Sequence, residues 1–124
     1  MPDSAPILKR LREILSISGD RVGKARRISA AIRETGGYRW VGIYDVSEDE
    51  IGVVAWSGPK ARVKRDPRYL TTLGTTRSEI VVPVLKGGGV VGLLDVESDL
   101  TDAFSEEDRR FLEECAVVLA PLWG

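Results

Sequence analysis

Apolar residues occur along this chain in two different spacings. Near the N-terminus they recur every three or four residues, which is the spacing of one face of an α-helix. In the middle of the chain they alternate with other residues or form short runs rich in Val, Ile and Leu, as in β-strands. After residue 104 the helical spacing returns. The pattern therefore predicts helices at both ends of the chain and a sheet between them.

Two helices are predicted before residue 37. The first has start signals at Ser4 and Pro6 and ends at Gly19, whereas the second begins after Asp20 as its N-cap and ends at Gly36–Gly37. Their apolar stripes consist of Ile7, Leu8, Leu11, Ile14 and Leu15 in the first helix and of Val22, Ala25, Ile28, Ala31 and Ile32 in the second.

A third helix is predicted at the C-terminal end, within residues 104–123. Ser105 and Asp108 have the spacing of a capping box, in which each residue satisfies a backbone N–H of the other. Cys115 lies on the apolar stripe of this helix, so we interpret it as a small buried hydrophobe. The stripe comprises Phe111, Leu112, Cys115, Val118, Leu119 and Leu122.

Four strands are predicted between the helices, as two hairpins. Tyr38 to Val46 and Ile51 to Ser57 are joined by a polar turn, and Ile80 to Leu85 and Val90 to Val96 are joined by Lys86 and three glycines. Glycine adopts the positive φ angles that a tight turn requires. The hairpins are separated by a long basic connection at 60–76.

This order predicts an α+β fold in one domain that spans residues 1–124. We expect an antiparallel sheet at 38–98, with the helices of 1–36 and 104–123 packed on one of its faces. The connection 60–76 is expected to lie over the other face. Each sheet face would then have a different covering.

Strand alternation gathers unusual side chains on one face of this sheet. Trp40 and Tyr44 share a face of the first strand, opposite to Val41 and Ile43. In the second hairpin, alternation places Glu79 on one face of the first strand. It places Asp95 and Glu97 together on one face of the second strand. Three carboxylates on an otherwise apolar sheet are the strongest candidate binding groups in this chain.

Two other interpretations of these carboxylates remain open. They could stand in water at the strand ends, or they could pair with Arg39, Arg77 or the basic connection, because charged residues are seldom buried alone. A carboxylate-only magnesium or calcium site, helped by Asp99 and Asp102, is a weaker alternative because the spacing of a calcium-binding loop is missing. We therefore predict no metal and no cofactor.

The aromatic residues Trp40, Tyr44 and Trp56 could equally be part of the ordinary hydrophobic core.

Composition excludes several classes of chemistry. The 124 residues include one cysteine and no histidine, which rules out internal disulfides and Ser-His or Cys-His catalysis within one chain. No apolar stretch is long enough to span a membrane and no signal peptide is evident, so a cytoplasmic protein without membrane contact is expected. Three glycines between two strands indicate a hairpin turn, not a phosphate-binding loop.

Charge is distributed unevenly, although the net charge is −1. Nine basic and four acidic residues precede residue 40, whereas nine acidic and two basic residues lie between 95 and 114. No aromatic-plus-basic recognition motif accompanies the basic half, so nucleic-acid binding is not expected. Opposite charges on terminal amphipathic helices favour a homodimer through those helices, although the same helices could simply cover their own sheet.

The residues also resemble a known family. SEIVVPVLKGGGVVGLLDVES at 78–98, followed by FSEEDRRFLE at 104–113, resembles the C-terminal half of a GAF domain, and most closely that of the free methionine-(R)-sulfoxide reductases. YRWVGIY at 38–44 and SGPKAR at 57–62 are similar to the central hairpin of that family. The resemblance extends from about Tyr38 to Leu122.

The resemblance implies a binding site for a free amino acid. In those reductases aromatic and acidic side chains hold the ligand over the sheet. Trp40 and Tyr44 match the aromatic positions, Glu79 matches the acid of SEIVVP, and Glu97 matches a position that is usually aspartate. The expected ligand-binding residues are Trp40, Tyr44, Glu79, Asp95 and Glu97.

The cysteines that the resemblance implies are missing. Thr72 stands where the catalytic cysteine of the family precedes Glu79 by seven residues, and Arg62 stands near the place of another. The loop between the central strands, which carries a third cysteine in the family, is shortened. Because sulfoxide reduction needs one thiolate to attack sulfur and a second thiol to resolve the product, we predict no catalytic residues.

We therefore expect a GAF-like module that binds a small amine or amino acid, or that acts in sensing or interaction, without catalysis. One alternative is a structural homodimerisation domain in which the connection 60–76 fills the site. A second alternative is a residual enzyme of the methionine sulfoxide reductase type that uses an intermolecular or unrecognised nucleophile.

Overall fold

The structure is a computed structural model that describes residues 3–59 and 77–124. The predicted connection 60–76, including Arg62 and Thr72, lies outside the described residues. The elements below therefore come from two stretches of chain, one before and one after that connection.

Two helices open the chain. α1 spans Ala5–Ser16 and α2 spans Arg21–Gly36. The side chain of Asp20 caps α2 by accepting a hydrogen bond from the Gly23 N–H at 2.7 Å, and Gly37 ends the helix with φ +67°. A Cβ at Gly23 would lie 2.7 Å from the Asp20 carboxylate, so glycine at this position leaves room for the cap.

α1 begins where the start signals Ser4 and Pro6 predict. Ser4 is the N-cap by position, but its hydroxyl makes no capping hydrogen bond and donates instead to Glu114 at 2.8 Å. The Asp3 carboxylate accepts from the Ala5 N–H at 3.0 Å. Ser4 thus links the N-terminal helix to the C-terminal one.

Four antiparallel strands form one sheet. β1 is Trp40–Val46, β2 is Ile51–Ser57, β3 is Ser78–Lys86 and β4 is Gly89–Ser98. They are ordered β2-β1-β4-β3, so β1 and β4 occupy the centre. Both predicted hairpins are confirmed. The second turns at Gly87 and Gly88, whose φ values of +60° and +81° few other residues adopt.

The prediction that Tyr38 begins the first strand is wrong. β1 begins at Trp40, and the Tyr38 hydroxyl donates to Asp108 at 2.8 Å while its ring packs 5.9 Å from that of Phe104. Phe104 and Tyr38 both pack against the core beneath the helices. The left-handed turn at Gly37 redirects the chain before the strand, and Tyr38 therefore leaves the face that Trp40 shares with Tyr44.

The C-terminal helix is shorter than predicted. α3 spans Glu106–Leu119, and a 3₁₀ turn follows at Ala120–Trp123. The predicted capping box is confirmed, since Ser105 and Asp108 each accept from the other's backbone N–H. Pro121 lacks the N–H that would continue the α-helix, which explains why the last turn tightens.

The helices cover one face of the sheet, as predicted. α2 lies on β1 and β2, α3 lies on β3 and β4, and α1 packs against the other two helices. None of the helices in the described part of the chain is long and apolar enough to cross a membrane. The sheet contributes to this core through Val41, Ile43, Ala55, Val82, Val84, Leu94 and Val96.

A polar cluster fastens the C-terminus to the sheet. Arg21 donates to the Asp45 carboxylate and, through Nε, to the Leu122 carbonyl at 2.8 Å, while the Trp123 indole N–H donates to Asp45 at 2.8 Å. The Arg21 guanidinium also lies 5.1 Å from the centre of the Trp123 ring. The hydrogen bonds that Arg21 and Trp123 donate to Asp45 hold the pKa of its carboxyl group below the usual value. We call Arg21, Asp45 and Trp123 the C-terminal clasp.

The clasp depends on a glycine in the central strand β4. The Trp123 ring lies so close to Gly92 that a Cβ there would overlap it, and the same Cβ would approach the Tyr44 carbonyl oxygen to 2.7 Å. A larger residue at this position must therefore displace the indole from the sheet.

Gly92→Ala should lower the free energy of unfolding by about 1–3 kcal/mol, because the added methyl group overpacks this contact. Urea denaturation monitored by circular dichroism measures the change. Gly52→Ala is the matched control: Gly52 also lies in a strand, but a Cβ there meets nothing within 4 Å. Equal stability of the two variants would contradict the close packing of Trp123.

Candidate functional site

The sheet face away from the helices, here called the outer face, brings the predicted site residues together. Strand pairing sets Trp40 beside Glu97, and Glu97 beside Glu79, in one row across β1, β4 and β3. In the next row, Gly42 pairs with Asp95. Tyr44 follows on the same side of β1. All five residues predicted to bind ligand thus share one end of one face.

Trp40 and Tyr44 form the aromatic part of this face. Their rings lie 6.3 Å apart with planes 30° from parallel, and only 2% of Trp40 and 5% of Tyr44 is exposed. The Trp40 ring lies across Gly42, where a Cβ would overlap it. Gly42 was not among the predicted site residues, although a glycine inside a strand often marks such a close approach.

Three carboxyl groups lie beside the aromatic pair. One oxygen from each of Glu79, Asp95 and Glu97 lies within 4.8 Å of the others, and we call this group the carboxyl triad. Glu79 is exposed, whereas Asp95 and Glu97 are 6% and 4% exposed. The interpretation that these acids stand in water is therefore wrong for Asp95 and Glu97. Arg39, one proposed partner, lies 3.9 Å from Asp99.

Burial and crowding favour a proton on the triad. Loss of hydration, reinforced by hydrogen bonding with Glu79 and by the charges of Glu79 and Glu97, raises the pKa of Asp95 to about 9. The Tyr44 hydroxyl donates to Asp95 at 3.4 Å, and burial together with Asp95 raises the Tyr44 pKa above its usual value. The triad therefore holds a proton at neutral pH and could exchange it for another positive charge.

Two buried polar atoms on the outer face lack partners among the described residues. The Trp40 indole N–H has no acceptor, and no N–H or hydroxyl donor reaches Oδ1 of Asp95. Unpaired buried polar groups cost about 1–3 kcal/mol each. A ligand with its own donor and acceptor would satisfy both atoms.

Cys115, the one cysteine in the sequence, is remote from this site. It is fully buried in the core between the helices and the opposite face of the sheet. Burial raises the pKa of its thiol to about 12, so it stays protonated at neutral pH. The interpretation of Cys115 as a buried hydrophobe fits this position.

Comparison with known proteins gives the family. The model of the GAF domain matches residues 6–121. The chain belongs to the GAF domain family. It is 26% identical over 138 residues to GAF domain-containing protein A of Dictyostelium discoideum, covering 91% of this chain and 87% of that protein.

Two solved structures place this GAF domain among its relatives. Free methionine-R-sulfoxide reductase from Neisseria meningitidis, solved with its substrate, superposes with a TM-score of 0.80 at 25% identity, over 97% of this chain and 87% of that one. A GAF sensor protein from Burkholderia vietnamiensis has the same fold, with a TM-score of 0.78 at 22% identity over 94% and 90% of the chains. The predicted resemblance and fold class are confirmed.

Asp95→Asn should change how stability depends on pH. The folded-state pKa of about 9 lies above the ordinary value of 3.8, so the folded protein holds a proton that the unfolded chain releases. Asp95 therefore stabilises the fold fully below pH 3.8, and this contribution is lost as the pH rises to about 9. The loss is at most about 1.4 kcal/mol per pH unit.

Urea denaturation between pH 5.5 and 9 tests this, because asparagine does not titrate. The stability of Asp95→Asn relative to the parent should rise across that range. Glu48→Gln, at an exposed turn position, serves as the control and should run parallel to the parent. Parallel curves for Asp95→Asn as well would show that Asp95 is ionised in the folded protein.

Proposed function

We propose that this GAF domain binds a small molecule with a positively charged amino group, such as a free amino acid, on its outer face. The observation that supports this most directly is the buried part of the carboxyl triad beside Trp40 and Tyr44. Carboxylates taken out of water favour a cation, and the buried rings of Trp40 and Tyr44 lie beside them, where they would contact the apolar part of a bound ligand. The domain then serves a sensory or interaction role.

Each group of the site has a distinct part in this proposal. The ammonium group of the ligand takes the place of the proton on the triad, between Asp95 and Glu97 from β4 and Glu79 from β3. A ligand carbonyl, carboxylate or sulfoxide oxygen accepts from the Trp40 indole N–H. Tyr44 orients Asp95 through its hydroxyl group.

We also infer that this domain does not reduce methionine sulfoxide, unlike the reductase from Neisseria. Reduction of a sulfoxide by thiols requires a thiolate that attacks sulfur and another thiol that releases the oxidised enzyme. The sequence holds one cysteine, and that thiol is buried on the opposite side of the sheet. We infer that the binding residues persist without the redox residues.

We also propose that the domain forms a homodimer through its terminal helices. α1 carries three basic residues against one acid, and α3 carries five acids against two arginines. Two copies can therefore contact each other through oppositely charged surfaces. The cytoplasm remains the predicted location.

Thermal unfolding with added ligand tests the binding proposal. L-Methionine, its sulfoxide, other amino acids and simple amines are added at millimolar concentration, and one or more should raise the melting temperature. A ligand at 100 times its Kd adds about 2.7 kcal/mol to the free energy of unfolding. The N-acetylated form of each active amino acid should have no effect, because it lacks the positive charge.

Variants locate the binding. Glu97→Gln keeps the shape of the side chain but replaces the buried carboxyl group by an amide, and should abolish the ligand-induced shift in melting temperature. Glu48→Gln should retain it. If no compound acts, or if the acetylated forms act equally well, the amine-binding proposal is wrong, and the alternative of a structural domain with a filled site is favoured.

Catalysis is tested separately with a thiol-coupled assay. With dithiothreitol or a thioredoxin system as reductant, free methionine sulfoxide should be consumed no faster than in the absence of protein. Sustained turnover would contradict the proposed loss of activity. Turnover that survives Cys115→Ala would in addition indicate a nucleophile other than a cysteine.

A further inference from the structure

We propose that the carboxyl triad binds its ligand in exchange for a proton, so that pH controls how much of the domain is occupied at a given ligand concentration. This inference rests on amine binding in the proposed function and adds the regulation of that same site. In the ligand-free domain the proton lies on Asp95. In the complex the ammonium group of the ligand takes its place, and the proton passes to solvent.

The spacing of the triad disfavours three negative charges. One oxygen atom from each of Glu79, Asp95 and Glu97 lies within 4.8 Å of the other two. Carboxyl groups that share a site in this way oppose one another's ionisation, because each negative charge makes the next less favourable. A single proton within the group relieves this repulsion.

Burial and hydrogen bonding point to Asp95 as the group that holds this proton. Glu79 is exposed to water, whereas Asp95 is 6% exposed and lies on the central strand β4. Loss of hydration disfavours the charged form of a buried acid. Within the triad, the buried oxygen atom that has no hydrogen-bond partner in the described part of the chain is Oδ1 of Asp95.

The titratable groups that face Asp95 come from three strands. β1 provides the Tyr44 hydroxyl, which donates to Asp95 at 3.4 Å, β3 provides Glu79, and β4 itself provides Glu97. The two acids disfavour a negative charge on Asp95, and the hydrogen bond from Tyr44 is too long to offset them. Loss of hydration, reinforced by both acids, raises the pKa of Asp95 to about 9.

The exchange leaves the charge of the site unchanged. The O–H bond of Asp95 breaks and one positive charge leaves as the proton, while one positive charge enters as the ammonium group. The buried carboxylate is therefore never left without a compensating cation. Oδ1 of Asp95, which lacks a donor among the described residues, then accepts a hydrogen bond from the ligand.

This exchange gives affinity a defined dependence on pH. Each rise of one pH unit makes the proton a weaker competitor, so Kd should fall about tenfold per unit below the pKa of Asp95. The gain should end near pH 9, where Asp95 is already ionised in the ligand-free domain. At a constant ligand concentration, a rise in pH therefore fills the site and a fall in pH empties it.

Isothermal titration calorimetry measures the released proton. The probe is the compound among L-methionine, its sulfoxide and methylammonium that gives the largest rise in melting temperature. Titrations at pH 7 in phosphate and in Tris, whose ionisation enthalpies differ, should show the release of about one proton per bound ligand. Kd should fall about tenfold from pH 6 to pH 7 and about tenfold again from pH 7 to pH 8.

Glu79→Gln should move this pH dependence. Glu79 is exposed, so the amide variant should fold, and it removes an acid that opposes the ionisation of Asp95. Kd of this variant should therefore level off about one pH unit lower than Kd of the parent. Glu48→Gln, at an exposed turn position, should leave the proton release and the pH dependence unchanged.

The outcomes separate proton exchange from ligand binding. If none of the three probes binds, both amine binding and the exchange are overturned. Binding without proton release, with the same Kd at pH 6 and pH 8, overturns the exchange alone. A pH dependence that Glu79→Gln leaves in place also overturns the exchange alone, because it would originate from a group other than Asp95.

Discussion

Two carboxyl groups, those of Asp95 and Glu97, are buried on a sheet face that no helix covers among residues 3–59 and 77–124. Burial of a carboxylate is unfavourable unless a proton, a cation or hydrogen bonds compensate for the lost hydration. Here burial raises the pKa of Asp95 to about 9, so that Asp95 holds a proton at neutral pH, and the Tyr44 hydroxyl donates a long hydrogen bond to it. A fold under selection for stability alone would have apolar residues in place of these two buried carboxyl groups. The burial of these two groups in the centre of the sheet is the main support for the binding role that we propose for this face.

The centre of the sheet is also where backbone and indole rings come closest. Trp40 lies across Gly42 on the outer face, and Trp123 lies against Gly92 on the helix face. Each glycine makes room for a ring that a methyl group would displace. A glycine thus makes room for an indole ring both at the outer face and at the C-terminal clasp, on opposite sides of the neighbouring strands β1 and β4. The position of the C-terminus is therefore linked to the strands that carry the candidate site.

Local sequence patterns predicted most of the fold, because their physical causes are local. The capping residues Asp20 and Ser105, the turn glycines and the alternation of β1 all act within a few residues. Alternation also identified the face that Asp95 and Glu97 share, but not how deeply they are buried, since depth depends on neighbouring strands. The clasp was missed for the same reason: Asp45 and Trp123 are 78 residues apart, and neither has an unusual local context. Tyr38 alternates with Trp40 as if it belonged to β1, but it directly follows the left-handed turn at Gly37 and lies before the strand begins.

Tyr44 and Asp45 are successive residues of β1 whose side chains point to opposite faces of the sheet, one toward Asp95 and one toward the clasp. Because the side chains on both faces of β1 have specific partners, the strand has only one acceptable register. A slip by one position would move Tyr44 to the helix face and Asp45 to the outer face. Insertions within β1 should therefore be avoided in engineered variants. Inserted peptides or reporter domains belong at the exposed bend of Ser47–Glu50, after the end of β1, where added length leaves the pairing of β1 with β4 unchanged.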